Sequence, residues 1–269
     1  DINTWDVSSI TDMSDLFKET GFNSDISNWN VSNVTTMKHM FYKATSFDQT
    51  LTSWNVSNVT TMEGMFYETT VFGTSNGHIG NWNVSNVKNM VEMFQGAVKF
   101  NANISTKTIS DSSSYPTGVT SSYTAWDVSN VTAMNSMFRS TSSDPAEFNQ
   151  DITGWDTSNV TNMQNMFHNA QDFDQNIRGW NVSGVDPVTN FAYMFIGATA
   201  MNTNHSAPDD DYTLGTPTKG WFNSRFTSKT DLETAITAWT TNSSTATTAY
   251  GDINTWDVSS ITDMSDLFK

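Results

Sequence analysis

The sequence predicts an α/β solenoid, in which short parallel strands stack into a ladder and short helical returns connect them. One further helix acts as a cap or junction. Three observations predict this. One sentence of sequence recurs seven times. Uninterrupted copies lie about one solenoid coil apart, 25 residues between Trp29 and Trp54. The stretch DINTWDVSSITDMSDLFK at 1–18 returns letter for letter at 252–269.

The repeat begins at Trp5, Trp29, Trp54, Trp82, Trp126, Trp155 and Trp180. Its consensus is I-x-x-W-[DN]-V-S-N-V-T-x-M-x-x-M-F-x-x-A, usually followed by F-[ND]. The copy at Trp180 is three residues longer. A unit this short cannot bury an apolar face alone, so neighbours must stack, at the roughly 4.8 Å spacing of strands. The residues three before each tryptophan, namely Ile2, Ile26, Leu51, Ile79, Tyr123, Ile152 and Ile177, mark the expected strand. Val31 and Val34 point inward, and Ala44 and Phe47 close the coil.

M-x-x-M-F has helical spacing. It places Met37, Met40 and Phe41 in the core, then Met62, Met65 and Phe66, then Met90, Met93 and Phe94. Thirteen of the 14 methionines occupy these two positions, leaving Met201 outside. Core filling explains such a stripe better than metal ligation does.

The polar positions predict further columns. An Asx residue follows each tryptophan, placed to accept a backbone hydrogen bond from two residues on. Ser8, Ser32, Ser57, Ser85, Ser129, Ser158 and Ser183 never vary, and their hydroxyls are expected to satisfy turn amides. Asn33, Asn58, Asn86, Asn130 and Asn159 form another column. Repetition of this kind indicates structure, because a catalytic residue is needed once and a stacking residue in every coil.

The seven coils span 1–201, with insertions at 101–123 and 141–147. A Pro-containing acidic insertion follows at 202–225. These are either tolerated loops or partner contacts. Residues 226–251 read as an amphipathic helix, with Leu232, Ala235, Ile236 and Trp239 on one face. Thr230 and Glu233 suggest a capping box. This helix is expected to cap or join the coil that follows it at 252–269, which is the first coil of a next unit.

Composition excludes several functions. A formal charge of −16 argues against nucleic acid and anionic lipid. The absence of cysteine removes disulfides, thiolate metal sites and cysteine nucleophiles. No apolar run is long enough to span a bilayer. The start at Asp1 suggests a mature product or a window on a longer chain. No Ser-His-Asp order, phosphate loop or HExxH motif appears, so no enzyme and no cofactor is expected. Asp209, Asp210 and Asp211 are a calcium candidate without the EF-hand spacing, and a solvated acidic loop is the alternative. Among the sequons, Asn103, Asn204 and Asn242 lie outside the repeat and are the better glycan acceptors.

The stretch FNQDITGWDTSNVTNMQNMFHNA at 148–170 resembles the BspA-like branch of leucine-rich repeats, in its Met-Phe variety. The resemblance implies a right-handed, leucine-rich-repeat-like solenoid on an extracellular or cell-surface protein with adhesive or structural duty. It implies no catalytic residue. The expected function is therefore a structural unit of a filament, joined head to tail to copies of itself. The alternatives are an adhesin that holds a surface protein or glycan through its insertions, and, more remotely, ice or mineral binding by the threonine column Thr11, Thr35, Thr60, Thr132, Thr161 and Thr189, which Lys88 interrupts.

Overall fold

The computed structural model describes residues 1–73, 79–114, 116–141, 143–186, 189–205, 207, 216–222, 226, 228–250 and 253–267. The repeats stack in sequence order, but the expected α/β solenoid is not what forms. The described residues contain no ladder of parallel strands. Their one sheet is a two-stranded antiparallel pair, β1 (Lys107–Ile109) and β2 (Tyr123–Ala125). Successive repeats share a single isolated parallel bridge each, running Asp12, Thr36, Thr61, Asn89, Ala133, Asn162. The M-x-x-M-F segments are not helical either; they are chains of tight turns.

The reason lies in where the backbone hydrogen bonds go. A helix needs each N–H to bond four residues back. Here every second N–H is taken by the next repeat: Met37 donates to Thr61 O, His39 to Glu63 O, Phe41 to Met65 O and Lys43 to Tyr67 O, at 2.7–3.1 Å. The same four bonds recur at every junction of the stack, from Met13 through to Asn169. The alternate N–H groups close turns instead, with Met40 donating to Met37 O, Tyr42 to His39 O and Ala44 to Phe41 O. These turns place left-handed residues at a spacing of four, such as His39 (φ 55) and Lys43 (φ 56). A chain of such turns presents i, i+3 and i+4 inward as a helix does, so apolar spacing alone could not separate the two. The inferred strand positions fail for a related reason. Ile26, Leu51 and Ile79 open turns whose carbonyls accept from Trp29, Trp54 and Trp82.

The core is one continuous column. Met37, Met40, Phe41, Ala44 and Phe47 are all fully buried, as are their equivalents around Phe66. The M-F phenylalanines stack from Phe17 through Phe41, Phe66, Phe94, Phe138 and Phe167 to Phe195, with centroids 5.5–5.9 Å apart. A second column runs beside it through Phe47, Phe72, Phe100, Phe148 and Phe173. Each tryptophan from Trp29 to Trp180 is also stapled to the repeat before it. Its indole Nε1 donates to the carbonyl of Ile2, Ile26, Leu51, Ile79, Ile104 or Ile152 at 2.9–3.1 Å.

That series corrects the register of the first insertion. Ile104, not Tyr123, fills the position before the fifth tryptophan: it is fully buried and accepts from Trp155. The insertion therefore opens after Ile104 and leaves as the β1–β2 hairpin. Tyr123 sits on β2, and its hydroxyl donates to Asn81 O at 2.5 Å. The stack continues past the hairpin without change of spacing. A Cβ at Gly80 would lie 2.4 Å from Asn103 O, so glycine lets the two chains pass there.

The far end of the stack is closed by α1 (Thr199–His205) and α2 (Lys219–Phe222). Trp221 and Phe222 cover Phe195 and Phe191 at 5.1 and 5.2 Å. Met201 is buried in the same core. The single helix expected over 226–251 is two helices, α3 (Lys229–Thr241) and α4 (Ser243–Tyr250). Asn242 divides them. Its extended backbone ends α3, and its Oδ1 accepts from Thr245 N to start α4. The N-cap is Ser228, not Thr230: Ser228 Oγ accepts from Asp231 N and donates to Asp231 Oδ2.

The register carries a test. Ile104→Ala should cost about 2–5 kcal/mol of unfolding free energy, as for a buried aliphatic truncated to alanine. Tyr123→Phe should cost about 1 kcal/mol, the worth of one hydrogen bond. Urea denaturation of the two variants measures both, and equal losses would contradict the register.

Candidate functional site at the duplicated repeat

The polar columns are engaged within the stack. Each column serine donates its backbone N–H to the Asx Oδ1 two residues earlier, from Ser8 on Asp6 to Ser183 on Asn181, at 3.0–3.2 Å. The serine carbonyls accept from the next asparagine: Asn33 Nδ2 on Ser8 O, then Asn58, Asn86, Asn130 and Asn159 in turn, at 2.7–2.8 Å. The serine hydroxyls do not serve turn amides as expected. At Ser8 and Ser85 they donate back to the same Asx oxygen, because the backbone already completes the turn. Thr35, Thr60, Thr132 and Thr161 spend both N–H and hydroxyl on the preceding repeat. The column ends at Asn159, since the seventh repeat has Gly184 at that position, and Lys219 Nζ takes Ser183 O at 2.7 Å.

Two engaged groups escaped sequence reasoning. The Asx residue after the second phenylalanine accepts from the next repeat's backbone, as Asn23 does from Asp48 N and Asn149 from Asp174 N. The F-[ND] signal was present but gave no reason for itself. Arg178 is buried, donates to His205 O at 2.6 Å, and lies 5.2 Å from the Trp221 ring. Burial pulls its guanidinium pKa down, and Asp257 nearby acts in the opposite sense. Only the singularity of an arginine at that repeat position marked it.

Among the described residues no group of three or more His, Asp or Glu is placed to hold a metal ion. Asp209, Asp210 and Asp211 lie outside the described residues. No helix among the described residues is long and apolar enough to cross a membrane.

The duplicated stretch is where one sequence meets two environments. Its local structure is the same in both copies. Ile10 N bonds Val7 O and Ile261 N bonds Val258 O, each at 2.9 Å. Asp15 and Asp266 are both left-handed, with φ 57 and 64. The packing is reciprocal. In the first copy Val7, Met13 and Phe17 are buried against the second repeat, while Trp5, Ile10 and Leu16 are 63%, 40% and 48% exposed. In the second copy Met264 is exposed, and Trp256, Val258, Ile261 and Leu267 pack against Phe226, Leu232, Ala235 and Ile236. The two helices thus partly cover the counterparts of Trp5, Ile10 and Leu16, which the first copy leaves exposed.

Polar contacts fix this seat. Phe226 N donates to Asp257 O at 2.9 Å, and Asn176 Nδ2 to Asp257 Oδ2 at 2.5 Å. Lys229 Nζ donates to Asp263 Oδ2 and Ser265 Oγ at 3.1 and 3.0 Å. The Ser265 hydroxyl and amide, with Lys229, pull the Asp263 carboxyl down to about 2. Its first-copy counterpart Asp12 is lowered by Ser14.

A family model described as "Mycoplasma protein of unknown function, DUF285" matches residues 1–107, 74–117, 107–239 and 220–269. No curated protein and no solved structure matches the chain.

Two outcomes follow. A carboxyl whose pKa is depressed on folding stabilises above its ordinary value of 3.8 and loses that contribution as pH falls through the depressed value. The Asp263 contact is therefore complete above about pH 4 and is lost only toward about pH 2. Carboxyl-detected NMR titration should show this, and Lys229→Met should raise the Asp263 midpoint. Peptide mapping by mass spectrometry after expression in a glycosylating host should place glycans on Asn103 and Asn242, whose side-chain oxygens accept from Ser105 N and Thr245 N. It should show none on Asn33 or Asn58, whose Nδ2 binds the stack, and none on Asn204, whose Nδ2 binds Asp174.

Proposed function

This chain belongs to the family described as Mycoplasma protein of unknown function, DUF285, and from that premise we propose that it is a structural repeat unit of a long extracellular or cell-surface filament. Units of 251 residues, the distance from Asp1 to Asp252, join head to tail. The observation that carries this reading is the verbatim first repeat seated on α3. A chain built this way presents the start of a next unit already joined to the end of the present one. A contact between unlike faces of this kind propagates without closing. The excess of 28 acidic over 12 basic residues would keep finished fibres apart.

The work is done by stacking, without catalysis or a bound cofactor. Within the family we read the chain as akin to the Met-Phe variety of BspA-like repeats, from the motif at 148–170. A second reading, an adhesin for a surface protein or glycan, is favoured by one observation: the β1–β2 hairpin leaves the stack without interrupting it, as a partner-binding insertion would.

Electron microscopy of the native object should show filaments with one axial period per 251-residue unit. A native polypeptide with no further copies of residues 1–251 would sink the covalent array. If it is an adhesin, deleting 105–122 should abolish partner capture while the stack's thermal transition persists.

A further inference from the structure

We propose that the cleft between the 141–147 insertion and the stack is a binding site for a neutral sugar residue of a glycan. The site does not depend on the filament reading. It gives the adhesin alternative a glycan pocket away from the β1–β2 hairpin, so the two sites can fail separately.

The cleft arises where one column stops repeating. The residue after the M-F phenylalanine runs Lys18, Tyr42, Tyr67, Gln95, Arg139, His168. The serine and asparagine columns keep one residue type because stacking requires it; this column does not, so stacking does not explain it. Tyr67 lays one ring face on Tyr42, with centroids 4.3 Å apart and planes at 9°. Its other face is turned toward the next repeat, where Gln95 carries no ring to continue the stack. The neighbouring column narrows there to Gly96 and Ser140. A Cβ on Gly96 (φ 68) would lie 2.8 Å from Glu68 Cγ. The result is a cavity of about 560 Å³ whose lining includes Tyr67, Thr70, Gln95, Arg139, Thr141 and Asp144. Ligand sites commonly measure about 300–1,000 Å³.

The wall formed by the insertion is set in advance. Ser140 Oγ donates to Asp144 O at 2.5 Å, and Asp144 N donates to Thr141 Oγ1 at 3.1 Å. Glu147 N donates to Val98 O at 2.9 Å, and Ala146 is buried. The insertion is thus tied at both ends, and a ligand need not order it.

The polar groups select the ligand. Arg139 is half-buried, and its guanidinium makes no hydrogen bond or ion pair among the described residues. In a chain with 28 acidic and 12 basic residues, an arginine left without a carboxylate at a cavity wall is open to an outside acceptor. Gln95 is loosely held: its Nε2 meets Tyr67 OH only at 3.4 Å, and its Oε1 is buried with no partner among the described residues. Turning this amide toward a ligand therefore gives up little. Burial, and then Glu68, push the Tyr67 phenol up, so it stays a neutral hydroxyl. An anion fits poorly, because Glu68 and Asp144 line the same cavity. An apolar molecule would leave Arg139 and Gln95 unanswered. A sugar hydroxyl both accepts and donates, so adjacent hydroxyls satisfy Arg139 and Gln95 together. The C–H face of the same pyranose then lies on the electron-rich face of Tyr67.

The experiment is saturation-transfer difference NMR on the 269-residue chain. The probes are maltose, cellobiose, lactose and chitobiose, with glucuronate as the anionic comparison. At least one neutral disaccharide should show saturable transfer, strongest at the ring C–H protons of one pyranose. Arg139→Met should weaken it about tenfold or more, as for hydrogen bonds to a charged group. The urea transition of that variant should not move, since the guanidinium bonds nothing in the folded chain. Tyr67→Leu should remove the ring-proton transfer, and deleting 105–122 should leave binding intact. Absence of transfer to every neutral probe overturns the proposal, as does binding that Arg139→Met leaves unchanged. Glucuronate binding in preference to all neutral probes overturns the choice of a neutral sugar, and loss of binding on deleting 105–122 assigns the glycan to the hairpin instead. None of these outcomes bears on the 251-residue period, which tests the filament reading alone.

Discussion

Everything in this molecule depends on one diversion of hydrogen bonds. Every second N–H of the M-x-x-M-F segment points to the carbonyls of the following repeat, not back along its own chain. A segment that satisfied itself as a helix would need its neighbours only for apolar burial. A segment that gives half its donors away is incomplete alone, because buried unpaired N–H groups are costly. Stacking is thus imposed by the backbone and not only by the phenylalanine columns. The side chains return the favour in the opposite direction, with tryptophan, asparagine and threonine donating to the repeat before.

A structure of this kind has two unlike ends. One end presents the tryptophan side of a repeat, and the other the side that its M-x-x-M-F amides face. Here α1 and α2, which belong to no repeat, close the far end together with the buried Arg178 of the seventh repeat. Lys219 takes the Ser183 carbonyl that the column asparagine of a following repeat would have taken. Placing a cation there brings a positive charge to a strongly acidic chain at the point where the pattern stops. The helix pair α3–α4 then starts the pattern again by covering the next tryptophan side. Closing and restarting are separate jobs performed by consecutive segments, which explains why the non-repeat region is as long as two repeats.

Much of this was legible in the sequence, for identifiable reasons. The buried identities of Trp54, Met62, Met65 and Phe66 follow from recurrence, since only stacking requires the same residue in every copy. The Asx turns were legible because Asp and Asn accept from backbone two residues away, and the asparagine column because its residue recurs from repeat to repeat although its partner is a whole repeat away. The secondary structure was not legible. A turn chain and a helix put i, i+3 and i+4 on the same side, and the two differ only in where the amides bond, which depends on a neighbour some 25 residues on. The register at Tyr123 failed because spacing from tryptophan was counted along the chain, whereas the hairpin is inserted between Ile104 and Trp126. The break of the long helix at Asn242 and the cap at Ser228 were matters of one local hydrogen bond each.

The stretch DINTWDVSSITDMSDLFK separates the two kinds of information within one molecule. The sequence by itself determined its first turn and its Asx hydrogen bonds, which are alike at 1–18 and 252–269 because they involve partners within four residues. Which side of it would be buried was decided only by the tertiary structure. Met13 is buried and Leu16 exposed in one copy, while Met264 is exposed and Leu267 half-buried in the other. Burial of an apolar side chain is a property of the surface brought against it, and these eighteen residues carry two such faces without specifying which neighbour arrives.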